Sequence, residues 1–179
     1  MKLKISNESL FDRTSDAIIL TIDGASKGMA GKAARTFGEL YPEIWQFIES
    51  QVQYPVTAGS SVSISIPGGI PFKVVFLAAT LTHLPDMQNT SQKSLSLRAF
   101  NMAIRDATVL GLKTIRCSLP IGGWRVDPLN AFMILSQILE KTYSTTKDME
   151  LQLCVLEEDV FESVRRFAAN LGYEVQEHT

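Results

Sequence analysis

One continuous apolar segment constrains the fold of this chain more than any other feature. Residues 16–22, DAIILTI, are almost entirely apolar and rich in β-branched side chains. A strand with one solvated face alternates apolar and polar residues, whereas an unbroken apolar run suits a strand that helices cover on both faces. The segment therefore predicts a central strand in a mostly parallel sheet.

The remaining patterns alternate between strands and helices, which is typical of βαβ units. Strands are predicted at residues 73–80, 113–120 and 150–156, and the alternating segment 61–66 could form a hairpin with 73–80. Helices are predicted on both sides of Pro42, from about Leu97 to Gly111, from Pro128 to about Lys141, and from Val160 to Gly172, with a short edge strand at residues 173–176.

These elements predict one three-layer α/β/α domain over residues 1–179, in the α/β class. The short segment 2–6 and the pair around 61–66 suggest that some strands are antiparallel. The predicted central sheet is therefore mixed and mostly parallel.

Composition and charge exclude several classes of protein. The 179 residues carry 17 basic and 19 acidic side chains, a net charge of -2, which argues against groove binding to a nucleic acid. The chain is expected to begin at Met1 without a secretory signal, and no apolar segment is long enough to cross a membrane. Cys117 and Cys154 lie inside predicted strands, so we expect reduced core thiols and a cytoplasmic protein.

Two glycine-containing loops follow buried strands and are the candidate site. Residues 23–31 lead into a helix, and residues 120–128, PIGGWRVDP, precede the helix that starts at Pro128. Backbone N–H groups at such junctions bind anions, and two junctions at one sheet edge would suit a diphosphate. The alternative for each loop alone is ordinary turn geometry. Neither loop matches a Walker or dinucleotide motif.

Taken together, these segments resemble the macro domain family, which binds ADP-ribose and in some branches hydrolyses ADP-ribosyl bonds. The resemblance spans nearly the whole chain and is nearest to the terminal ADP-ribose glycohydrolases and related bacterial antitoxins. It is carried by the order of four segments: DAIILTID, GMAGKAARTFGELYPEIW, KVVFLAATLTH and SLRAFNMAIRDATVLGLKTIRCSLPIGGW.

The resemblance implies an ADP-ribose site with the diphosphate between the two loops and the distal ribose near Asp23. Arg125 would add charge to the phosphates and Trp124 would stack on a ring, while a solvated arginine and a packing tryptophan are the alternatives. The implied binding residues are Asp23, Gly24, Gly28, Met29, Ala30, Gly31, Ile121, Gly122, Gly123, Trp124 and Arg125.

Several acidic and histidine side chains have simpler interpretations. Asp23 could cap the following helix instead of binding a ribose, and Asp127 is predicted to cap the helix after it rather than to act as an acid. Glu8 falls near the position where the family has an adenine-reading acid, and we interpret it as a surface carboxylate. His83 and His178 have no partners at metal-ligand spacing, so neither a metal nor a cofactor is predicted.

One departure bears on activity. The lysine that the glycohydrolase branch uses covalently would fall near Thr80, and no lysine lies between Lys73 and Lys93. No catalytic residue is therefore assigned, and the sequence leaves open whether the chain is an enzyme. The hypotheses are a binder of ADP-ribose, of an ADP-ribosylated macromolecule or of a related nucleotide diphosphate; a hydrolase with a non-standard site at Asp23; and a degenerate fold that serves as an interaction module.

Overall fold

A computed structural model describes residues 2–28, 31–81, 92–120, 126–146, 148–173 and 175. Within these ranges the strands form one sheet in the order β1-β6-β5-β2-β4-β3. The strands are β1 (Lys2–Ser6), β2 (Ser15–Asp23), β3 (Ser61–Ser65), β4 (Phe72–Leu81), β5 (Thr114–Cys117) and β6 (Glu150–Cys154). The helices are α1 (Lys32–Leu40), α2 (Pro42–Gln51), α3 (Gln92–Val109), α4 (Pro128–Thr146) and α5 (Glu158–Asn170).

The predicted central strand is confirmed. β2 lies between β4 and β5 and runs parallel to both. Ala17 and Ile19 pack into the core on one face of the sheet, while Ile18 and Leu20 pack into the core on the other. All four side chains are completely buried, which is the environment that their unbroken apolar run requires.

Helices cover both faces of the sheet, so the domain has the predicted three layers. Phe37 of α1 and Ile48 of α2 pack on one face, and α3, α4 and α5 supply the core residues of the other. Pro42 begins α2, as its fixed φ favours, and so divides this region into two helices. None of the described helices combines the length and apolarity that a bilayer crossing would need.

The sheet is mixed, as predicted, but only one of the two segments expected to be antiparallel is so. β3 pairs antiparallel with β4, as the alternating pattern predicted, but β1 runs parallel to β6, so the expectation of an antiparallel strand at residues 2–6 was wrong. β5 is shorter than predicted and α4 longer. Residues 173 and 175 are not in a strand, and the rest of the predicted strand at 173–176 lies outside the described residues.

Candidate functional site

A cleft of about 650 Å³ opens at the carboxyl edge of the sheet, where the sequence placed its candidate loops. Asp23 at the end of β2, Leu81 at the end of β4 and Ser118 just after β5 contribute to its lining. The carboxyl ends of parallel strands are the usual ligand position in an open α/β sheet. The cleft is therefore the candidate site.

The amino terminus of α1 faces this cleft and has no side-chain cap. Gly31 is the N-cap residue, and no side chain of the described residues caps the helix by a hydrogen bond. Gly31, Lys32 and Ala33 all line the cleft. The first N–H groups of a helix have no partner within the helix, and the helix dipole adds partial positive charge there. An anion in the cleft would find donors at this point.

The structure separates the predicted residues of the first loop into two groups. Asp23, Gly28 and Gly31 line the cleft. Gly24 does not lie among its described lining residues: the Gly24 N–H donates to the Leu81 carbonyl at 3.1 Å, and the Gly24 carbonyl accepts from the Val56 N–H at 2.7 Å. The backbone of Gly24 therefore ties the loop to its neighbours. Met29 and Ala30 lie outside the described residues.

We expect Gly24→Ala to destabilise the domain by about 1–3 kcal/mol. A Cβ at this position would lie 2.3 Å from the Val56 carbonyl oxygen, which is backbone and cannot rotate away. Urea denaturation of the variant and the parent protein measures the change in free energy of unfolding. Ser26→Ala, at an exposed position in the same loop, serves as the control and should change stability by less than about 0.5 kcal/mol.

Asp23 is buried at the cleft and does not cap α1. The residue is 4% exposed, and its Oδ1 accepts a hydrogen bond from the Ala25 N–H at 2.8 Å. This is an Asx turn, which fixes the carboxylate at the end of β2. Since Gly31 is the N-cap residue of α1, the alternative interpretation of Asp23 as the helix cap was wrong.

Of the second predicted loop, the structure describes Pro120 at its start and residues 126–128 at its end. Ile121, Gly122, Gly123, Trp124 and Arg125 lie outside the described residues, so their predicted roles stay predictions. Asp127 caps α4, as predicted, because its Oδ1 accepts from the N–H groups of Leu129 at 3.1 Å and Asn130 at 3.2 Å. These hydrogen bonds lower the pKa of Asp127, that of Asn130 most strongly. The start of α4 is therefore already satisfied by a carboxylate.

The described lining of the cleft carries charges of both signs. Lys32 and Arg35 are the basic residues, and Asp23 and Glu157 are the acidic ones. Lys32 Nζ lies 3.4 Å from Glu157 Oε1, which joins the start of α1 to the residue before α5. Both side chains are well exposed, so the pair contributes little to stability. An anion in the cleft would meet backbone donors at the start of α1 rather than a surplus of basic side chains.

The sequence interpretation missed a buried ion pair beside the cleft. Arg116 of β5 has a completely buried side chain, and its Nη2 donates to Glu8 Oε1 at 2.8 Å. Glu8 Oε2 also accepts from Arg13 Nε at 2.9 Å. The Glu8 side chain is 13% exposed, so it is a partly buried carboxylate held by two arginines rather than a solvated surface one. The signal was present: an arginine in an interior strand of a sheet covered on both faces needs an acidic partner.

This pair predicts a pH dependence of stability. Burial alone would raise the pKa of Glu8, but the hydrogen bond and charge of Arg116, the charge of Arg13 and the hydroxyl of Ser6 outweigh it and lower the pKa below 4.5. The Cys154 thiol lies nearby, and burial raises its pKa to about 11, so it stays neutral. Because the folded pKa is depressed, the stabilisation is present above pH 4.5 and is lost as the pH falls through the folded pKa.

Thermal unfolding across an acid pH series tests this dependence. The difference in Tm between the parent protein and Glu8→Gln should be largest above about pH 5 and should shrink below about pH 4. A difference that stays constant over the series would show that the Glu8 charge does not stabilise the fold.

No group of three or more histidine, cysteine or acidic side chains among the described residues is placed to bind a metal ion. Both histidines lie outside those residues. Cys117 and Cys154 are free, buried thiols, as predicted.

Comparison with known proteins gives structural matches only. No protein-family model matches the sequence, and no curated protein matches it. A single-substitution variant of the Oceanobacillus iheyensis macrodomain has a TM-score of 0.76 over 93% of this chain and 90% of that chain, at 14% identity. Another variant of that macrodomain, with ADP-ribose, has a TM-score of 0.70 over 93% of this chain and 91% of its own, at 15% identity.

The macrodomain of Mycobacterium tuberculosis DarG has a TM-score of 0.65, with 84% of this chain and 97% of that chain covered, at 16% identity. At these identities the likeness shows the fold. The resemblance noted in the sequence is confirmed at that level.

Proposed function

Because the chain has the macrodomain fold, we propose that it binds ADP-ribose, or a related nucleotide diphosphate, in the cleft at the carboxyl edge of its sheet. The observation that carries the proposal is the uncapped amino terminus of α1, whose first residues line that cleft. A diphosphate there would accept hydrogen bonds from backbone N–H groups and would lie at the positive end of the helix dipole.

The size and lining of the cleft support a ligand larger than a phosphate. A volume of about 650 Å³ lies within the range of small-molecule sites. Beyond the start of α1, the lining of the cleft includes the apolar side chains of Leu10, Phe11, Leu156 and Val160. Apolar walls of this kind suit the faces of a nucleobase, since an aromatic ring stacks without needing polar partners. The phosphates of one nucleotide would thus contact the backbone donors of α1, and its base would contact the apolar side chains.

The lining favours binding over covalent catalysis. Thr80 stands where the resemblance would place the reactive lysine; it is 1% exposed and lines the cleft. A threonine cannot form a Schiff base with an opened ribose, so that route to hydrolysis lacks its nucleophile. An ADP-ribosylated macromolecule would present the same nucleotide to the cleft and could be bound without being cleaved.

Isothermal titration calorimetry with ADP-ribose tests the proposal. Saturable heat with a stoichiometry of one supports it, and weaker binding of AMP and of ribose 5-phosphate would show that both ends of the ligand contribute. Absence of heat at about 1 mM ADP-ribose would overturn it and favour an interaction module without a ligand.

The buried carboxylate of Asp23 favours a second candidate, hydrolysis of an ADP-ribosyl bond by an activated water. Asp23 lines the cleft and its orientation is fixed by the Ala25 N–H, as a general base requires. This candidate demands that the protein release free ADP-ribose from a modified protein or nucleic acid, and that Asp23→Asn, which keeps the shape of the side chain, abolish the release. Release at an equal rate from the variant would exclude Asp23 as the base.

A further inference from the structure

The Arg116 guanidinium is buried completely and is bonded on every side. Its Nε donates to the Leu10 carbonyl at 2.9 Å, and its Nη2 donates to Glu8 Oε1 and to the Ser9 carbonyl, each at 2.8 Å. Nη1 donates to Gln152 Oε1 at 2.9 Å, and Nη2 also lies 3.1 Å from Cys154 Sγ. The side chain therefore joins β5 to β6 and, more extensively, to residues 8–10.

The sheet itself does not require an arginine at this position. An apolar side chain of similar volume usually fills a buried position at least as well as an ion pair, because a charge loses its hydration on burial. Arginine differs from an apolar residue in offering several N–H groups in a fixed plane, which can hold several acceptors in one arrangement. The acceptors therefore indicate what the side chain does.

Three of those acceptors belong to Glu8, Ser9 and Leu10, which follow β1 and are more than 100 positions away in the sequence. Ser9 and Leu10, together with Phe11, line the cleft, as do residues that follow β6. Phe11 packs against Phe37 of α1 with ring centroids 6.1 Å apart. Residues 9–11 thus form one wall of the cleft, which we call the 9–11 wall.

We propose that Arg116 is a positioning residue that holds the 9–11 wall in place and thereby sets the affinity of the cleft for the nucleoside part of its ligand. The inference rests on the proposed function for its ligand, but the anchoring itself is a property of the free protein. Arg116 is not one of the described residues that line the cleft. It acts through its hydrogen bonds to the carbonyls of Ser9 and Leu10. If the wall is already ordered in the free protein, binding does not carry the free-energy cost of ordering these residues, and the affinity is higher.

Two variants separate positioning from a general contribution to stability. Arg116→Lys keeps the charge beside Glu8 but loses the planar set of donors. The double variant Arg116→Met with Glu8→Gln removes both charges, so it should fold without an unpaired buried carboxylate, yet it also lacks the bonds to Ser9 and Leu10. Asp16→Asn is the matched control, because Asp16 accepts from Lys73 Nζ and the Lys113 and Thr114 N–H groups at the opposite edge of the sheet.

Hydrogen exchange in the free protein and calorimetry with ADP-ribose are the two measurements. In both Arg116 variants, amide exchange at residues 9–12 should rise by roughly tenfold or more, and affinity for ADP-ribose should fall about tenfold. The double variant should show this loss even where its Tm lies near that of the parent protein. Asp16→Asn should lower the Tm and leave both the exchange at 9–12 and the affinity unchanged.

Other outcomes overturn the inference in distinguishable ways. Unchanged exchange at residues 9–12 in folded Arg116 variants would show that Arg116 does not anchor the wall. Raised exchange with unchanged affinity would show that the anchored wall does not set binding. An affinity loss that tracks the Tm across all variants, Asp16→Asn included, would reduce Arg116 to a structural role. A parent protein that binds no ADP-ribose would overturn the proposed function, and the affinity part with it, while exchange would still decide the anchoring.

Discussion

Ser118→Glu is expected to weaken ADP-ribose binding by at least about 100-fold in a protein that remains folded, because like charges forced together in a binding site cost several kcal/mol. Ser118 follows β5 directly, lines the cleft and is half-buried. It lines the same cleft as Gly31, Lys32 and Ala33 at the start of α1. A carboxylate introduced there would face the diphosphate across a site that excludes part of the water, where screening is weak.

Ser118→Gln is the matched control for this substitution. Glutamine has nearly the volume of glutamate but no charge, so it reports how much of the loss comes from filling the cleft. We expect calorimetry to give a smaller loss for Ser118→Gln than for Ser118→Glu, and the excess for glutamate should shrink at high salt. If Ser118→Glu binds ADP-ribose as tightly as the parent protein, with an unchanged Tm, the phosphates do not lie near the end of β5 and the proposed placement is wrong.

The architecture could be predicted because its signals are local. The unbroken apolar run of β2 requires cover on both faces, and Pro42, Gly111 and Gly172 mark helix boundaries through their own backbone preferences. Gly111 and Gly172 adopt φ values of 70° and 83°, in the left-handed region that ends helices. The direction of β1 could not be predicted in this way. Its short alternating pattern fits either orientation, and pairing with β6, which is distant in the sequence, decides it.

The candidate site was predicted where backbone geometry defines it and missed where distant side chains do. Gly28 and Gly31 lie at the strand-to-helix junction that the sequence singled out, and both line the cleft. Gly24 was assigned to the ligand from its position in the same loop. Its backbone approaches the Val56 carbonyl so closely that a side chain would not fit, which explains a glycine at this position without a ligand. No local pattern connects Gly24 to residue 56, so a glycine that lines the cleft and one that packs against backbone look alike in the sequence.

Arg116 illustrates the same limit more sharply. The alternating pattern of residues 113–120 places Ile115, Cys117 and Leu119 on one face of the strand, and all three are in the core. That assignment leaves Arg116 on the other face, which a three-layer domain also buries. The predicted fold therefore implies that Arg116 needs a carboxylate partner. It does not identify Glu8 as that partner, because the contact depends on where residues 8–10 lie relative to β5.

Replacing Arg116 with methionine alone is expected to destabilise the domain by about 3 kcal/mol, since it removes the completely buried partner of Glu8 and leaves that partly buried carboxylate only partly compensated. Methionine fills much of the same space, so the effect is not simply that of a cavity. The Glu8 carboxylate would keep Arg13 as a partner on Oε2 but would lose the donor on Oε1. The carbonyls of Ser9 and Leu10 would also lose the bonds that Arg116 donates.

Adding Glu8→Gln to Arg116→Met is then expected to recover a large part of that loss, because the neutral amide loses less hydration on burial than a carboxylate does. Urea denaturation of the parent protein, the two single variants and the double variant forms a thermodynamic cycle, and its coupling free energy should exceed about 1 kcal/mol. Additive losses would mean that the charges of Glu8 and Arg116 are each stabilised by other groups. In that case the buried arginine would be held by the carbonyls of Ser9 and Leu10, rather than by its ion pair.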